Sequence, residues 1–326
     1  MRSLEQKVGQ LLYVGFLGLE PPPHVLEWLA SGRIGGVVLF ARNIASPQQV
    51  AELTQACHEA APDPIMIAID QEGGTVARLL APQGFTESPG AMPLAAANSP
   101  ALAEQVAGVL AAELRALGIN WNYAPMVDLV YPASVMNGSI GVRALGTDPA
   151  RVTTLAGAQV HGYENQRVAA TIKHFPGIGN TAIDSHLALP TIDMALDDLW
   201  ERDLVPYREL VQDASAVMVG HIRFPAIDSD LPSTLSPAIV QGIATSGVAR
   251  GVAVMPTITG DLVVFLADAG VDPRHPAPRQ CQQGGNGPAC GFPQSADLRI
   301  STVLIARPRK HRARQSEAGA RRDHGA

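Results

Sequence analysis

The chain holds 326 residues, of which 46% are hydrophobic, 17% charged and 5% aromatic. That length suits one large core or two small ones, and no run of about eighteen uncharged apolar residues offers a membrane span. The net charge of −6 hides a split: residues 1–270 carry 14 Lys+Arg against 26 Asp+Glu, and residues 271–326 carry 10 against 4. An acidic body argues against a nucleic-acid partner.

The opening MRSLEQKVGQ puts Glu5 and Lys7 where an export signal needs its apolar stretch. A cytoplasmic protein is the expectation. Cys57, Cys281 and Cys290 make neither a disulfide framework nor a zinc-type spacing.

Short apolar runs recur in chain order: GQLLYVGF (9–16), GGVVLF (35–40), IMIAID (65–70), INWNYAPM (119–126), VAATIKHF (168–175), AVMVGH (216–221) and GVAVM (251–255). They lack polar alternation and are rich in Val and Ile, as strands buried on both faces of a parallel sheet are. Amphipathic segments separate them. Ser46-Pro47 opens one with Val50, Leu53 and Cys57 inward. Ser99-Pro100 opens another, with Leu102, Val106, Val109, Leu110, Leu114 and Leu117 at helical spacing. Asp148-Pro149 opens a third with Val152, Leu155, Ala156 and Val160. Seven strand–helix alternations predict an α/β fold, a (β/α)8 TIM-type barrel over residues 1–258. A doubly wound sheet is the alternative, weakened because no G-x-G-x-x-G follows the first strand.

The pattern fails after about residue 258. Residues 259–326 are dense in Pro, Gly and Gln and then in Arg, and read as an irregular, basic, disordered tail. Its arginines lack interleaved aromatics, so a nucleic-acid-binding arm is the weaker reading. LRISTVLIA (298–306) is the one run there that can form a strand.

Barrel active sites lie at the carboxyl ends of the strands. Asp70 closes the third run, Asp128 follows the fourth, Lys173 and His174 close the fifth and His221 closes the sixth. The fifth leads into Lys173-His174-Phe175-Pro176-Gly177-Ile178-Gly179 and then Asp184-Ser185-His186. A carboxylate two residues from an imidazole can orient it and raise its basicity, which makes a proton shuttle near neutral pH. Alone, D-x-H equally suits an Asx turn beside a surface histidine; the glycine-rich loop upstream favours the chemical reading.

At these residues the chain resembles glycoside hydrolase family 3, in its single-domain β-N-acetylglucosaminidase branch. That branch has K-H-F-P-G-H-G followed by D-S-H, D-Q-E-G-G-x-V-x-R (here Asp70 to Arg78) and I-G-x-R-S-F-G (here Ile140 to Gly146). The resemblance covers about residues 4–245. It implies retaining hydrolysis of terminal β-N-acetylglucosaminides in cell-wall or amino-sugar recycling. His186 would be the acid/base, oriented by Asp184. Asp70, Arg78, Arg143, Lys173 and His174 would hold the sugar. The implied partner is an N-acetylglucosamine-containing glycan or muropeptide, with no cofactor and no metal. A β-glucosidase-like hydrolase is the alternative within the family, and phosphorolysis is an alternative outcome because imidazole repels an anionic acceptor less than a carboxylate does.

Two departures stand out. Ile178 replaces the loop's second histidine. Met255-Pro256-Thr257 stands where the family has its nucleophilic aspartate at the end of strand seven, and Asp261 is the nearest carboxylate. The expected eighth strand is unrecognisable unless LRISTVLIA supplies it, so the barrel is expected to be incomplete. A frameshift or truncation between about residues 245 and 258 accounts for all of this together. It predicts a chain that is inactive or nearly so and poorly stable, a non-catalytic sugar-binding remnant. Sequencing the coding DNA tests it: the account requires another frame, after about residue 245, that encodes a T-D or S-D strand, and fails if none does.

Overall fold

The computed structural model describes residues 2–132, 140–181 and 188–240, with two further strands at 262–265 and 300–305. Six strands follow in chain order: β1 (Leu12–Val14), β2 (Gly36–Leu39), β3 (Met66–Ile69), β4 (Trp121–Asn122), β5 (Ala169–Phe175) and β6 (Ala216–Val219). Each pairs in parallel with the next, giving a curled sheet of the α/β barrel type. Each lies within one of the apolar runs.

These runs lack polar alternation because both faces of the sheet are buried. Val37, Leu39, Ile67, Ile69, Val217 and Val219 pack outward under the helices. Val38, Ala68, Ala216 and Met218 point inward, around Tyr13, Trp121 and Tyr123. Trp121 meets Tyr13 and Tyr123 edge-on at 5.4 and 5.2 Å. Its indole N–H donates to the Thr171 hydroxyl at 2.8 Å, so the polar edge of this ring is satisfied, whereas the buried Tyr123 hydroxyl has no partner among the described residues.

The helices are α1 (Leu4–Gly9), α2 (Pro23–Ala30), α3 (Pro47–Ala60), α4 (Ala91–Ala97), α5 (Pro100–Ala116), α6 (Pro149–Asn165), α7 (Leu196–Glu201) and α8 (Val205–Leu210). Ser46, Ser99 and Asp148 cap α3, α5 and α6 by accepting a backbone N–H three residues on, with proline in each first turn. The expected inward residues of α3 and α6 are buried. The stripe proposed for α5 is partly wrong: Leu102 and Val109 are exposed, whereas Ala103, Ala107, Leu110, Ala111 and Leu114 are buried. Close approach to α6 explains it. A Cβ on Gly162 would lie 2.5 Å from the Glu104 carbonyl oxygen and 2.8 Å from the Ala107 Cβ. Only small residues fit that seam, and larger ones are displaced to its flanks.

Two strands stand between β6 and β1. β7 (Leu262–Phe265) runs antiparallel to β1, β8 (Ile300–Ile305) runs antiparallel to β6, and the two are parallel to each other. LRISTVLIA thus supplies a strand, in a direction opposite to its neighbour in an all-parallel barrel. The expected seventh strand GVAVM, Met255-Pro256-Thr257 and Asp261 lie outside the described residues, as does most of the expected tail. Among the described residues, no helix is long and apolar enough to cross a membrane.

Asn122 locks the end of β3 to β4. Its side chain accepts from the Gln71 N–H and donates to the Gln71 carbonyl oxygen, both at 2.9 Å and fully buried. Asn122→Ala leaves both groups unpaired in the interior and is expected to cost about 2–4 kcal/mol of stability, read as a lower urea midpoint at unchanged slope.

Candidate active site

The loop after β3 is built to hold its carboxylates still. Gln71 is buried, and its side-chain oxygen accepts from the N–H groups of Arg78 at 2.8 Å and Leu79 at 3.1 Å. The Glu72 N–H donates to the Val76 carbonyl at 2.9 Å. Asp70 and Glu72 are thereby fixed on either side of Lys173, which rises from β5.

Lys173 is 1% exposed, and its ammonium lies 3.0 Å from Asp70 Oδ1 and in direct contact with Glu72 Oε1. Arg143, from the turn after β4, grips Glu72 with two parallel bonds of 2.9 and 2.7 Å. Arg78 reaches the second Asp70 oxygen at 3.4 Å. Burial alone would raise both carboxyls. The Lys173 and Arg143 cations outweigh it at Glu72 and hold its pKa at about 2. Lys173 and Arg78 likewise keep Asp70 below its ordinary value. Two anions among three cations give a cluster with one excess positive charge, in which both carboxylates stay ionised although largely buried.

Beside it lies a second pair. Asp128 accepts from the His174 N–H at 3.1 Å, the His174 ring Nδ1 at 2.6 Å and the Ile178 N–H at 2.8 Å. The acceptor-only carboxylate assigns the ring proton to Nδ1 and leaves Nε2 with its lone pair. Burial lowers the His174 pKa despite the Asp128 carboxylate, so the ring is neutral at neutral pH. Ile178 is buried, and its N–H makes the bond that ties the loop to Asp128. Gly177, at φ +126°, passes close to Asp203: a Cβ there would lie 2.8 Å from the Asp203 Cβ. The Tyr131 hydroxyl donates to Asp203 at 2.6 Å, yet burial lifts this carboxyl to about 6.

Of the residues singled out in the sequence, Asp70, Arg78, Arg143 and Lys173 converge in one cluster, and His174 adjoins it. Asp184 and His186 lie outside the described residues. Lys173 and His174 are almost fully buried, whereas Asp70 and Arg78 keep 21% and 29% side-chain exposure and present the cluster's open face. His221 stands apart, half-buried, with Nδ1 2.7 Å from the Thr234 hydroxyl. Sequence reasoning missed Glu72, which joins Lys173 to Arg143, and the Tyr131–Asp203 pair. Glu72 was visible in the Asp70-to-Arg78 motif. Nothing local marked Asp203, which follows an acidic helix that reads as surface. Among the described residues, no group of three His, Cys, Asp or Glu is placed to hold a metal ion.

A curled parallel sheet whose strand ends gather fixed carboxylates and cations defines an α/β-barrel type of enzyme domain. The chain matches the glycosyl hydrolase family 3 N terminal domain over residues 3–248, and it belongs to that family. It is 38% identical over 275 residues to a beta-hexosaminidase of Stenotrophomonas maltophilia, covering 82% of this chain and 77% of that one. A beta-hexosaminidase of Pseudomonas aeruginosa is 40% identical over 196 residues, 60% of this chain and 57% of that one. The fold is similar to the family 3 β-N-acetylglucosaminidase from Paenibacillus sp. FPU-7, with a TM-score of 0.74 and 40% identity over 78% of this chain. This chain spans about half (49%) of that protein. It is also similar to NagZ from Neisseria gonorrhoeae in complex with N-trifluoroacetyl-D-glucosamine, with a TM-score of 0.69 and 30% identity, over 75% of this chain and 72% of that one.

Glu72→Gln removes the carboxylate that joins Lys173 to Arg143 and is expected to cost about 3–5 kcal/mol at pH 7. The folded pKa of about 2 lies below the ordinary 4.5, so Glu72 stabilises fully above that value and loses its effect as pH falls towards 2. Denaturation at pH 7 and at pH 3 should therefore show the gap between wild type and variant narrowing on the acid side.

Proposed function

We propose that the mouth of this domain binds a terminal β-N-acetylglucosamine residue and belongs to a retaining glycoside hydrolase. One observation carries the reading: Asp70, immobilised by Lys173 and Arg78, keeps its open face at the strand ends. A carboxylate so fixed accepts from neighbouring sugar hydroxyls while Arg78 donates to them, and the neutral His174 ring adds a lone pair. The relatives named beta-hexosaminidase support the acetamido sugar over plain glucose.

In this reading His186 protonates the glycosidic oxygen and Asp184 orients it. A carboxylate would form the glycosyl-enzyme, which water then releases. Asp261 is the nearest candidate for that nucleophile. A second reading, sugar binding without turnover, is favoured by Met255-Pro256-Thr257 at the nucleophile's place. We assign residues 1–258 to the barrel domain and 259–326 to a tail that lends β7 and β8 to the sheet between β6 and β1, so that the last quarter of the barrel is altered from the (β/α)8 form. Cell-wall sugar recycling in the cytoplasm is the setting this reading implies.

N-acetylglucosamine should raise the melting temperature, and Asp70→Ala should weaken its binding about 10–100-fold, the loss of hydrogen bonds to a charged group. A fluoro-sugar label followed by peptide mapping separates the two readings. Labelled Asp261 with turnover of a chromogenic β-N-acetylglucosaminide supports the hydrolase. Binding with neither label nor turnover supports the remnant. Absence of sugar binding, or preference for a plain glucoside, contradicts the proposal.

A further inference from the structure

The loop after β5 rests on two carboxylates of unlike character. Asp128 takes the N–H groups of His174 and Ile178 and the His174 ring, so its charge is met by three donors. Asp203, in the turn between α7 and α8, lies against the stretch between those two gripped residues and is almost fully buried. Gly177 packs directly on it: a Cβ there would be 2.8 Å from the Asp203 Cβ and 3.0 Å from Oδ1. The loop backbone itself is thus part of the cover that keeps water from this carboxyl.

The surroundings of Asp203 offset its burial only in part. The Tyr131 hydroxyl, from the loop after β4, donates to it at 2.6 Å. Among the described residues no ion pair reaches it. The Arg202 guanidinium next in the chain lies over the Tyr131 ring instead, 4.8 Å from its centre. Asp128 adds a like charge from the loop after β4, and Asp198 of α7 adds another on the far side of Tyr131. Tyr207 of α8 is near both Asp128 and Asp203, and its hydroxyl is buried with no hydrogen-bond partner among the described residues. His174, on the other side of Asp128, is neutral. A desolvated carboxylate placed this way gains by meeting water.

A motion that lifts Gly177 admits water and returns the carboxyl towards its ordinary value of 3.8, whereas beneath the seated loop it titrates at about 6. The seated form therefore binds the proton more tightly than the lifted one. Seating is strongest below 3.8 and weakens from there until the pH passes 6, with a ceiling of about 100-fold in the opening equilibrium.

We propose that Asp203 is a positioning residue for the loop after β5: with its carboxyl protonated the loop stays seated on it, and with the carboxyl ionised the loop lifts more often and frees the Ile178 N–H from Asp128. The device is independent of the sugar-site reading, although His174 stands at the start of the loop that Asp203 seats.

The test is amide hydrogen exchange of the full-length protein between pH 4.5 and 7.5, read as protection factors. Ile178, whose N–H bonds Asp128, reports the seated loop; Tyr123, whose N–H bonds the Ile69 carbonyl, reports the sheet. In the wild type, protection of Ile178 relative to Tyr123 should fall about tenfold or more across this range and level off above about pH 6. Asp203→Asn should make the ratio flat. Tyr131→Phe removes the donor that stabilises the ionised form, so the levelling should move to higher pH. A constant wild-type ratio overturns the inference. So does an Asp203→Asn profile that follows the wild type, or a Tyr131→Phe profile that levels off where the wild type does.

Discussion

The site depends on one buried cation. Lys173 lies between Asp70 and Glu72 with almost no exposure, and without it two carboxylates would share a desolvated strand end. With it, Glu72 is free to hold Arg143, and Asp70 keeps one oxygen for Arg78 and an open face. The arrangement joins three barrel segments: the loop after β3, the turn after β4 and the end of β5. It works only because each is independently rigid. Gln71 and Asn122 fix the first, and Asp128 fixes the residues just past Lys173 through three hydrogen bonds.

That rigidity bears on chemistry. Carboxylates and cations already paired and desolvated reorganise little when a polyol arrives, so the cost of ordering the site is met on folding. The neutral His174, with its proton committed to Asp128, fits the same logic. Asp203 is different in kind. Its carboxyl is lifted to about 6 by burial, it packs against Gly177, and it lies beneath the loop that leads towards Asp184 and His186.

The six parallel strands were legible because a sheet buried on both faces needs continuous apolar runs, and few other structures do. Which residues point inward was not legible, since Val37 and Val38 look alike in a run although they face different layers. The burial of α5 was misread for a related reason: hydrophobic spacing rewards Leu102 and Val109, while the seam with Gly162 demands alanine. Four of the five proposed sugar-holding residues converge with the fifth beside them, because strand ends in a parallel barrel share one mouth. Glu72 escaped notice because a carboxylate followed by two glycines reads as a turn. Asp203 escaped because its burial is set by Tyr131, 72 positions away in the chain. The family match ends at residue 248, and the antiparallel β7 and β8 lie beyond it.

The central claim is that Asp70 and Arg78 form the open face of a hexosamine site. A crystal structure of the protein with N-acetylglucosamine tests it most directly. The account predicts sugar hydroxyls within about 3.2 Å of the Asp70 carboxylate, with Lys173 still bridging Asp70 and Glu72. A sugar bound elsewhere, with Asp70 contacting only protein, would contradict it.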